Sequence, residues 1–384
     1  MIEAASFVDA ARELGFTRYT GVPCSFLTPF INYVINDTRL SYISSANEGD
    51  AVATAAGYAI GGERSVVMMQ NSGLGNAVSP ITSLTWVFRI PMLLIITHRG
   101  APGLKDEPQH ELMGRITMQL LDTMQVPWEF FPDNDMGIVN VLSRAISYMQ
   151  SEHRPYALIM KKGTVAAHAL QRDPVPARSN RVTLRKNYFS PGDNLCSRQQ
   201  ALERILHHSP ERESIVVATT GYTGRELYAV ADRSNQIYMV GSMGCASSLG
   251  LGLALARPHL KIIVVDGDGA ALMRMGNFAT IGSYGGDNLY HILLDNGAHD
   301  STGAQATVSA NVDFAAIAGA CRYGMALSGN TLEILDEIFS GTVVAGPRFA
   351  HLKIAPGTIE GLPRPSVTPS QVLERLMHHI KSAY

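Results

Sequence analysis

Short apolar runs alternate with amphipathic stretches along most of this 384-residue chain. In the first half, Ser65–Gln70 (SVVMMQ), Met92–Thr97 (MLLIIT) and Tyr156–Met160 (YALIM) predict strands. In the second, Ser214–Thr220 (SIVVATT), Ile237–Val240 (IYMV), Lys261–Asp266 (KIIVVD) and Leu289–Asp295 (LYHILLD) do the same. Apolar runs without alternation suit strands buried on both faces, hence a parallel sheet covered by helices. Helical patterns such as Gly49–Ile60 and Ser247–Leu255 lie between them. Together they predict an α/β fold of doubly wound parallel-sheet units.

The pattern breaks from Val165 to Asn194, where the chain turns polar, gathers Lys, Arg and Pro, and keeps no period. This predicts a linker at 166–194, partly strand at its end, between α/β domains at 1–165 and 195–384. The second domain then opens on a helix, Ser197–His207.

Composition narrows the class. Apolar residues make up 46% and charged residues 17%, the latter below a typical ~25%, which excludes disorder and predicts well-filled cores. A formal net charge of −2, from 31 Lys+Arg against 33 Asp+Glu, offers no basic footprint for nucleic acid. No stretch approaches the ~18 apolar residues of a membrane span. The longest run, Ile90–Thr97, has strand length and contains Pro91. Glu3 and Asp9 make the N-terminus read as a helix rather than a signal peptide. Four scattered cysteines without a CxxC pair predict a reduced, cytoplasmic setting and no zinc site.

The chemistry concentrates at two strand ends. Gly267-Asp268-Gly269 directly follows KIIVVD, and Asp295-Asn296-Gly297 ends LYHILLD. Asp268 and Asn296, 28 residues apart, thus each stand at the C-terminal end of a predicted parallel strand, the edge where open α/β sheets bind ligands. An Asp and an Asn oxygen suit a hard cation such as Mg²⁺, completed by phosphate oxygens and water. The glycines let backbone approach a phosphate, and the helix start beyond them favours the anion. A GDG alone is also an ordinary strand-to-helix turn.

Strand, GDG, helix, strand and Asn in this order resemble the cofactor motif of thiamine diphosphate enzymes, a GDG followed about 25 residues later by a paired Asn. Here 25 residues separate Gly269 from Asp295, which stands where the pair has its first Asn. The resemblance covers most of the chain and is to the small two-domain 2-oxoacid decarboxylases acting on phosphonopyruvate or sulfopyruvate. It implies a pyrimidine-binding domain followed by a diphosphate-binding domain, with thiamine diphosphate and Mg²⁺ as cofactors. The implied reaction takes 3-phosphonopyruvate to phosphonoacetaldehyde and CO₂, a step in phosphonate and antibiotic biosynthesis, with sulfopyruvate as the alternative substrate. Relatives acting on sulfopyruvate often carry their two domains on separate chains, so the fused chain leans toward the phosphonate.

Carried over residue by residue, the resemblance places the metal on Asp268, Asn296 and the Ala298 carbonyl. Met243, 25 residues before Asp268, takes the place of the bulky side chain beneath the bent cofactor, and the Gly241 carbonyl accepts from the pyrimidine amino group. Thr219, Thr220 and Gly221, with Gly269 and Ala270, hold the diphosphate, and His299 lines the cofactor. Without the resemblance, Met243 reads as core packing and Thr219-Thr220-Gly221 as a helix cap.

In the first half, Glu48 matches the family's Glu that donates to the pyrimidine ring. The alternative is a helix-start carboxylate favoured by the dipole, a role that Asp50 fits better. The loop Gln70–Asn76 (QNSGLGN) offers Asn71, Ser72 and Gly73 to the substrate's carboxylate or phosphonate, or is only a turn. Thr20–Phe30 resembles the family's early GVPxS loop. Ser25 keeps the hydroxyl that contacts substrate, and Cys24 replaces an acidic residue. Arg99 offers a guanidinium to a dianionic head. His110, in the polar segment KDEPQHELMGRIT, is the candidate acid that protonates the carbanion left by CO₂ loss. The resemblance further implies a homodimer or larger, with Glu48 and the metal site of each cofactor supplied by different subunits.

Two rival readings remain. A nicotinamide-dependent dehydrogenase needs GxGxxG, and Gly73-Leu74-Gly75 lacks the third glycine. A non-catalytic thiamine-binding protein has no need of Glu48.

Overall fold

Six strands, β1 (Phe16–Gly21), β2 (Ser41–Ser44), β3 (Arg64–Gln70), β4 (Leu93–Thr97), β5 (Trp128–Phe130) and β6 (Tyr156–Met160), form a parallel sheet in the order β2-β1-β3-β4-β6-β5. Seven more, β7 (Leu184–Tyr188), β8 (Ser214–Ala218), β9 (Gln236–Tyr238), β10 (Lys261–Gly267), β11 (Leu289–Asp295), β14 (Met325–Gly329) and β15 (Arg348–Lys353), form a second parallel sheet ordered β7-β14-β15-β11-β10-β8-β9. A short antiparallel pair, β12 (Ala298–His299) with β13 (Gln305–Ala306), follows β11. The computed structural model describes residues 1–172, 183–192 and 194–382. The chain divides into two units, Met1–Pro176 and Ala177–Tyr384, one sheet in each. The fold is the two-fold α/β arrangement that the hydrophobic pattern predicts.

The apolar runs sit at the sheet centres. Leu93 to Ile96 in β4 and Ile262 to Val265 in β10 are fully buried. Each such side chain stabilises by about 1.5–3 kcal/mol relative to exposure. The helix Glu48–Ile60 is buried along nearly its whole length. Its alanines and glycines let it lie close to the sheet, and Asn47 caps it by accepting from the Gly49 N–H at 2.8 Å. No described helix is long and apolar enough to cross a membrane.

Residues 173–182 and 193 of the expected linker lie outside the described residues. On the near side, Val165 bridges to Ile2 and the Asn36 amide donates to the Ala169 carbonyl at 2.9 Å. On the far side, β7 is the outer strand of the second sheet, paired with β14. The stretch expected as linker therefore contributes to both units at its ends.

Strand order reverses between β1 and β3 in the first sheet and between β8 and β10 in the second. The crevice beyond the strands' C-terminal ends at such a switch point is where doubly wound sheets bind ligands. The turns carrying Ser25, Glu48, Asn71 and Arg99 follow β1, β2, β3 and β4. Those carrying Thr219, Asp268 and Asn296 follow β8, β10 and β11.

Candidate active site

In the first unit, Glu48 begins its helix and is 8% exposed. The Asn76 amide donates to its Oε2 at 2.8 Å. Gly73 lies so close that a Cβ there would collide with Oε1. The helix start and the glycine-bearing loop thus close on one another, and the missing side chain at 73 makes the room.

Of the neighbouring candidates, Asn71 is placed differently from expectation. Asn71 is fully buried, and its amide donates to the Arg99 carbonyl at 2.8 Å and to Thr117 Oγ1 at 3.0 Å. Its oxygen takes the Arg99 N–H at 3.3 Å. It therefore ties the loop to the end of β4 and to the helix Glu111–Thr123 instead of reaching for a ligand. Ser72 is exposed and accepts from Gln70 Nε2 at 2.5 Å. Ser25 is exposed too, and lines a cavity of about 390 Å³ with Cys24, Asn32 and Tyr42.

Arg99, expected to be open to a substrate anion, is already matched. Its Nε donates to Asp106 Oδ2 at 2.7 Å, a second nitrogen meets Oδ1, and a third donates to Ser25 Oγ at 3.0 Å. Asp106 also takes the Gly100 and Glu107 N–H groups, both at 2.9 Å. The Arg99 hydrogen bonds hold the Asp106 carboxyl well below the usual carboxylate range. His110, the candidate acid, is 6% exposed; it ends the short 3₁₀ turn Pro108–His110, and its Nδ1 is buried without a partner among the described residues. Gly100, at φ +68°, has no space for a Cβ beside the His110 carbonyl.

In the second unit, a narrow cleft of about 70 Å³ gathers Thr219, Thr220, Gly221, Met243 and Ala270 with Asp268, Gly269, Asn296, Ala298 and His299. Gly241 is not in its walls and stands two residues before Met243. Gly221, at φ +93°, turns the chain out of β8 into the helix Tyr222–Val230. Met243 is carried by a left-handed turn, with φ +51° at Ser242 and +89° at Gly244. A Cβ on Gly269 would lie 2.5 Å from His299 Cε1 and 3.1 Å from Met243 Cε. The bare Cα of the second motif glycine thus keeps this corner open. A cavity of about 580 Å³ adjoins and shares Thr220, Gly221, Tyr222 and Ser301.

Thr307 Oγ1 donates to Asp268 Oδ2 at 2.5 Å. Burial raises the Asp268 carboxyl above its ordinary pKa and the Asp295 charge adds to this, while the Thr307 hydrogen bond opposes it. Among the described residues, no three His, Cys, Asp or Glu side chains are grouped to hold a metal ion. The set on offer is one carboxylate, one amide oxygen and one carbonyl, which suits a hard cation that keeps other oxygen ligands.

Asp295, the departure from the paired Asn, is almost fully buried. It accepts from the Gly297 N–H and Ser309 Oγ at 2.9 Å, His351 Nε2 at 2.8 Å and Lys353 Nζ at 2.5 Å. Burial pushes its pKa up, but the His351 and Lys353 hydrogen bonds and the Lys353 charge outweigh that and hold it well below the carboxylate range. Sequence reading missed Arg198 and Asp300, which line the cleft and are ion-paired at 2.8 Å. They stand 102 residues apart with no motif to join them.

Comparison with known proteins supplies the family. Residues 3–125 match "Thiamine pyrophosphate enzyme, N-terminal TPP binding domain" and residues 219–351 match "Thiamine pyrophosphate enzyme, C-terminal TPP binding domain". The chain is 44% identical over 378 residues to a phosphonopyruvate decarboxylase of Streptomyces viridochromogenes, covering 98% of this chain and 94% of that one. It is 42% identical to another from Streptomyces hygroscopicus, covering 98% and 93%. A sulfopyruvate decarboxylase of Methanosarcina acetivorans is 27% identical over 96% of this chain and 95% of its own. That relative matches both domains along one chain, so domain fusion does not by itself mark the phosphonate substrate. Among solved structures, a thiamine diphosphate-dependent 4-hydroxybenzoylformate decarboxylase of Rhodococcus jostii shares the fold. Its TM-score is 0.70 at 11% identity, over 92% of this chain and 99% of that one.

Proposed function

Because the chain belongs to the thiamine pyrophosphate enzymes and is a thiamine diphosphate-dependent decarboxylase, a carboxy-lyase, we propose that its substrate is 3-phosphonopyruvate. The products are phosphonoacetaldehyde and CO₂, Mg²⁺ is the metal, and the reaction is a cytoplasmic step of phosphonate biosynthesis. The observation that carries this choice is the identity of 44% to a phosphonopyruvate decarboxylase, against 27% to the single-chain sulfopyruvate decarboxylase, each over nearly the whole chain.

The residues present fit the cofactor. Gly269 keeps open a corner that a Cβ would fill against His299 and Met243, and the oxygens of Asp268, Asn296 and Ala298 are the donors a diphosphate-bound Mg²⁺ takes. In this reading Thr219, Thr220, Gly221 and Ala270 hold the diphosphate end, and Met243 supports the ring system. When bound, thiamine diphosphate supplies the electron sink for loss of the carboxylate.

Glu48 handles the proton. Asn76 occupies Oε2, which would leave Oε1 as the oxygen for exchanging a proton with the pyrimidine end of the cofactor. Ser25, Ser72 and Gly73 receive the anionic groups of the substrate, and Arg99 joins them by giving up its hydrogen bond to Ser25. Glu48 of one subunit serves the metal site of another, in a homodimer or larger assembly.

The test is CO₂ release from pyruvate, 3-phosphonopyruvate and sulfopyruvate, with and without thiamine diphosphate and Mg²⁺. Turnover of phosphonopyruvate that needs both cofactors is expected. Turnover of sulfopyruvate alone removes the substrate assignment, and turnover without added or bound thiamine diphosphate removes the mechanism.

A further inference from the structure

The side chain of Asn296 is wired in one direction. Its Nδ2 donates to Asp300 Oδ2 at 2.6 Å, while its Oδ1 meets only the Ala298 N–H among the described residues, at 3.3 Å. The same Asp300 oxygen receives Arg198 at 2.8 Å and the Gly357 N–H at 3.0 Å. Arg198 is itself 6% exposed. Its other terminal nitrogen donates to Glu226 Oε1 at 2.7 Å and to the Gly357 carbonyl at 3.0 Å. Thr358 adds a hydrogen bond to Glu226 at 2.6 Å.

The two ends of an amide are nearly equal in size, so packing alone does not choose between them. A cation takes only the oxygen end. What selects that end is a partner oxygen that accepts and cannot donate. Asp300 Oδ2 is such a partner: it also accepts from Arg198 and from the Gly357 N–H, so it faces Asn296 as an acceptor. Were the amide reversed, Asn296 Oδ1 would face Asp300 Oδ2, two acceptors with no proton between them, and the NH₂ group would face the cation.

We propose that Asp300, with Arg198 behind it, is a positioning residue that aims the carbonyl end of Asn296 at the divalent cation. The inference rests on the reading of Asp268, Asn296 and Ala298 as the Mg²⁺ site, and neither Asp300 nor Arg198 is assigned as a ligand. Groups that orient a metal ligand in this way change metal affinity by about 10–100-fold when removed.

The experiment is calorimetric titration of Mg²⁺ into the full chain at saturating thiamine diphosphate, which needs no substrate. Asp300→Ala should weaken Mg²⁺ at least tenfold, and Asp300→Asn, whose oxygen Arg198 and the Gly357 N–H hold in the accepting place, should stay within about threefold of wild type. A sign reversal separates positioning from packing. In Asn296→Asp the side chain has two equal oxygens and no end to select, so Asp300 acts there only by repulsion. The pair Asn296→Asp/Asp300→Asn should therefore bind Mg²⁺ more tightly than Asn296→Asp alone. A purely structural role makes loss of Asp300 harmful in both backgrounds.

Wild-type affinity in Asp300→Ala overturns the proposal, as does a double variant no tighter than Asn296→Asp. Should Asp300→Ala fail to fold, the second comparison decides, because Asp300→Asn conserves shape. A wild-type chain that takes up no Mg²⁺ with the cofactor removes the site reading and this inference together. Unaltered affinity in the variants removes only the inference.

Discussion

At the level of single residues, the first unit turns on the contact between Glu48 and a glycine. Glu48→Gln keeps the hydrogen bond to Asn76 possible but removes the exchangeable acid proton. It should lower decarboxylation by about 10²–10⁴-fold while thiamine diphosphate binding, followed by calorimetry, stays close to wild type. Gly73→Ala is the subtler probe. The new Cβ meets the end of a flexible side chain rather than backbone, so thermal unfolding should change little. The carboxylate must move aside, however, and displacement of a catalytic group by about 1 Å costs up to ~10²-fold in rate. A Gly73→Ala enzyme with full activity would show that the position of Glu48 is not critical. The helix that starts at Glu48 and the loop that holds Gly73 were legible in the sequence because each stands in a local pattern, while the contact between them was not. Asn71 and His110 show the limit of that legibility. A polar residue in a loop looks the same in sequence whether its side chain faces solvent or is spent on Arg99 and Thr117, as that of Asn71 is.

The elements that present these residues are set by backbone constraints. The turn carrying Met243 ends at Gly244, where φ is +89° and a Cβ would lie 2.9 Å from the Ala270 carbonyl. Gly244→Ala should cost on the order of 1–3 kcal/mol in urea unfolding of the cofactor-free chain and weaken cofactor binding as Met243 shifts. In the first unit, Asp106 fastens the segment after β4 to Arg99. The Arg99 hydrogen bonds depress its folded pKa. The stabilisation is thus present above the unfolded value of ~3.9 and is lost only as pH falls through the lower folded value. Protection of the Gly100 and Glu107 amides, corrected for intrinsic exchange, should stay constant from about pH 5 to 8 and drop throughout that range in Asp106→Asn. Continuous apolar strands such as β4, β10 and β11 announced themselves in sequence. β15 did not, because its charged residues break the run. Arg348 hydrogen-bonds the Ile338, Ser340 and Thr342 carbonyls, and His351 and Lys353 grip Asp295. Polarity there reflects pairing with distant partners rather than exposure, and one-dimensional periodicity carries no trace of it.

For the whole molecule, the proposed sharing of each cofactor between subunits makes activity depend on concentration. Specific activity should fall on dilution into a regime where ultracentrifugation finds single chains, and should return on reconcentration. Constant activity per chain in verified monomers would remove the shared-site reading. The placement of β7 has a consequence for how the polypeptide can be handled. This outermost strand is the first described segment of the second sheet, and β6, the last of the first sheet, ends at Met160. A gene cut anywhere between codons 172 and 183 leaves every ladder of both sheets on one fragment or the other. Two separately expressed polypeptides divided there, with the C-terminal piece retaining Leu184–Tyr188, should each be able to complete its own sheet. A cut placed after Tyr188 strips the second sheet of its border strand and bares the side of β14 to unwanted strand addition.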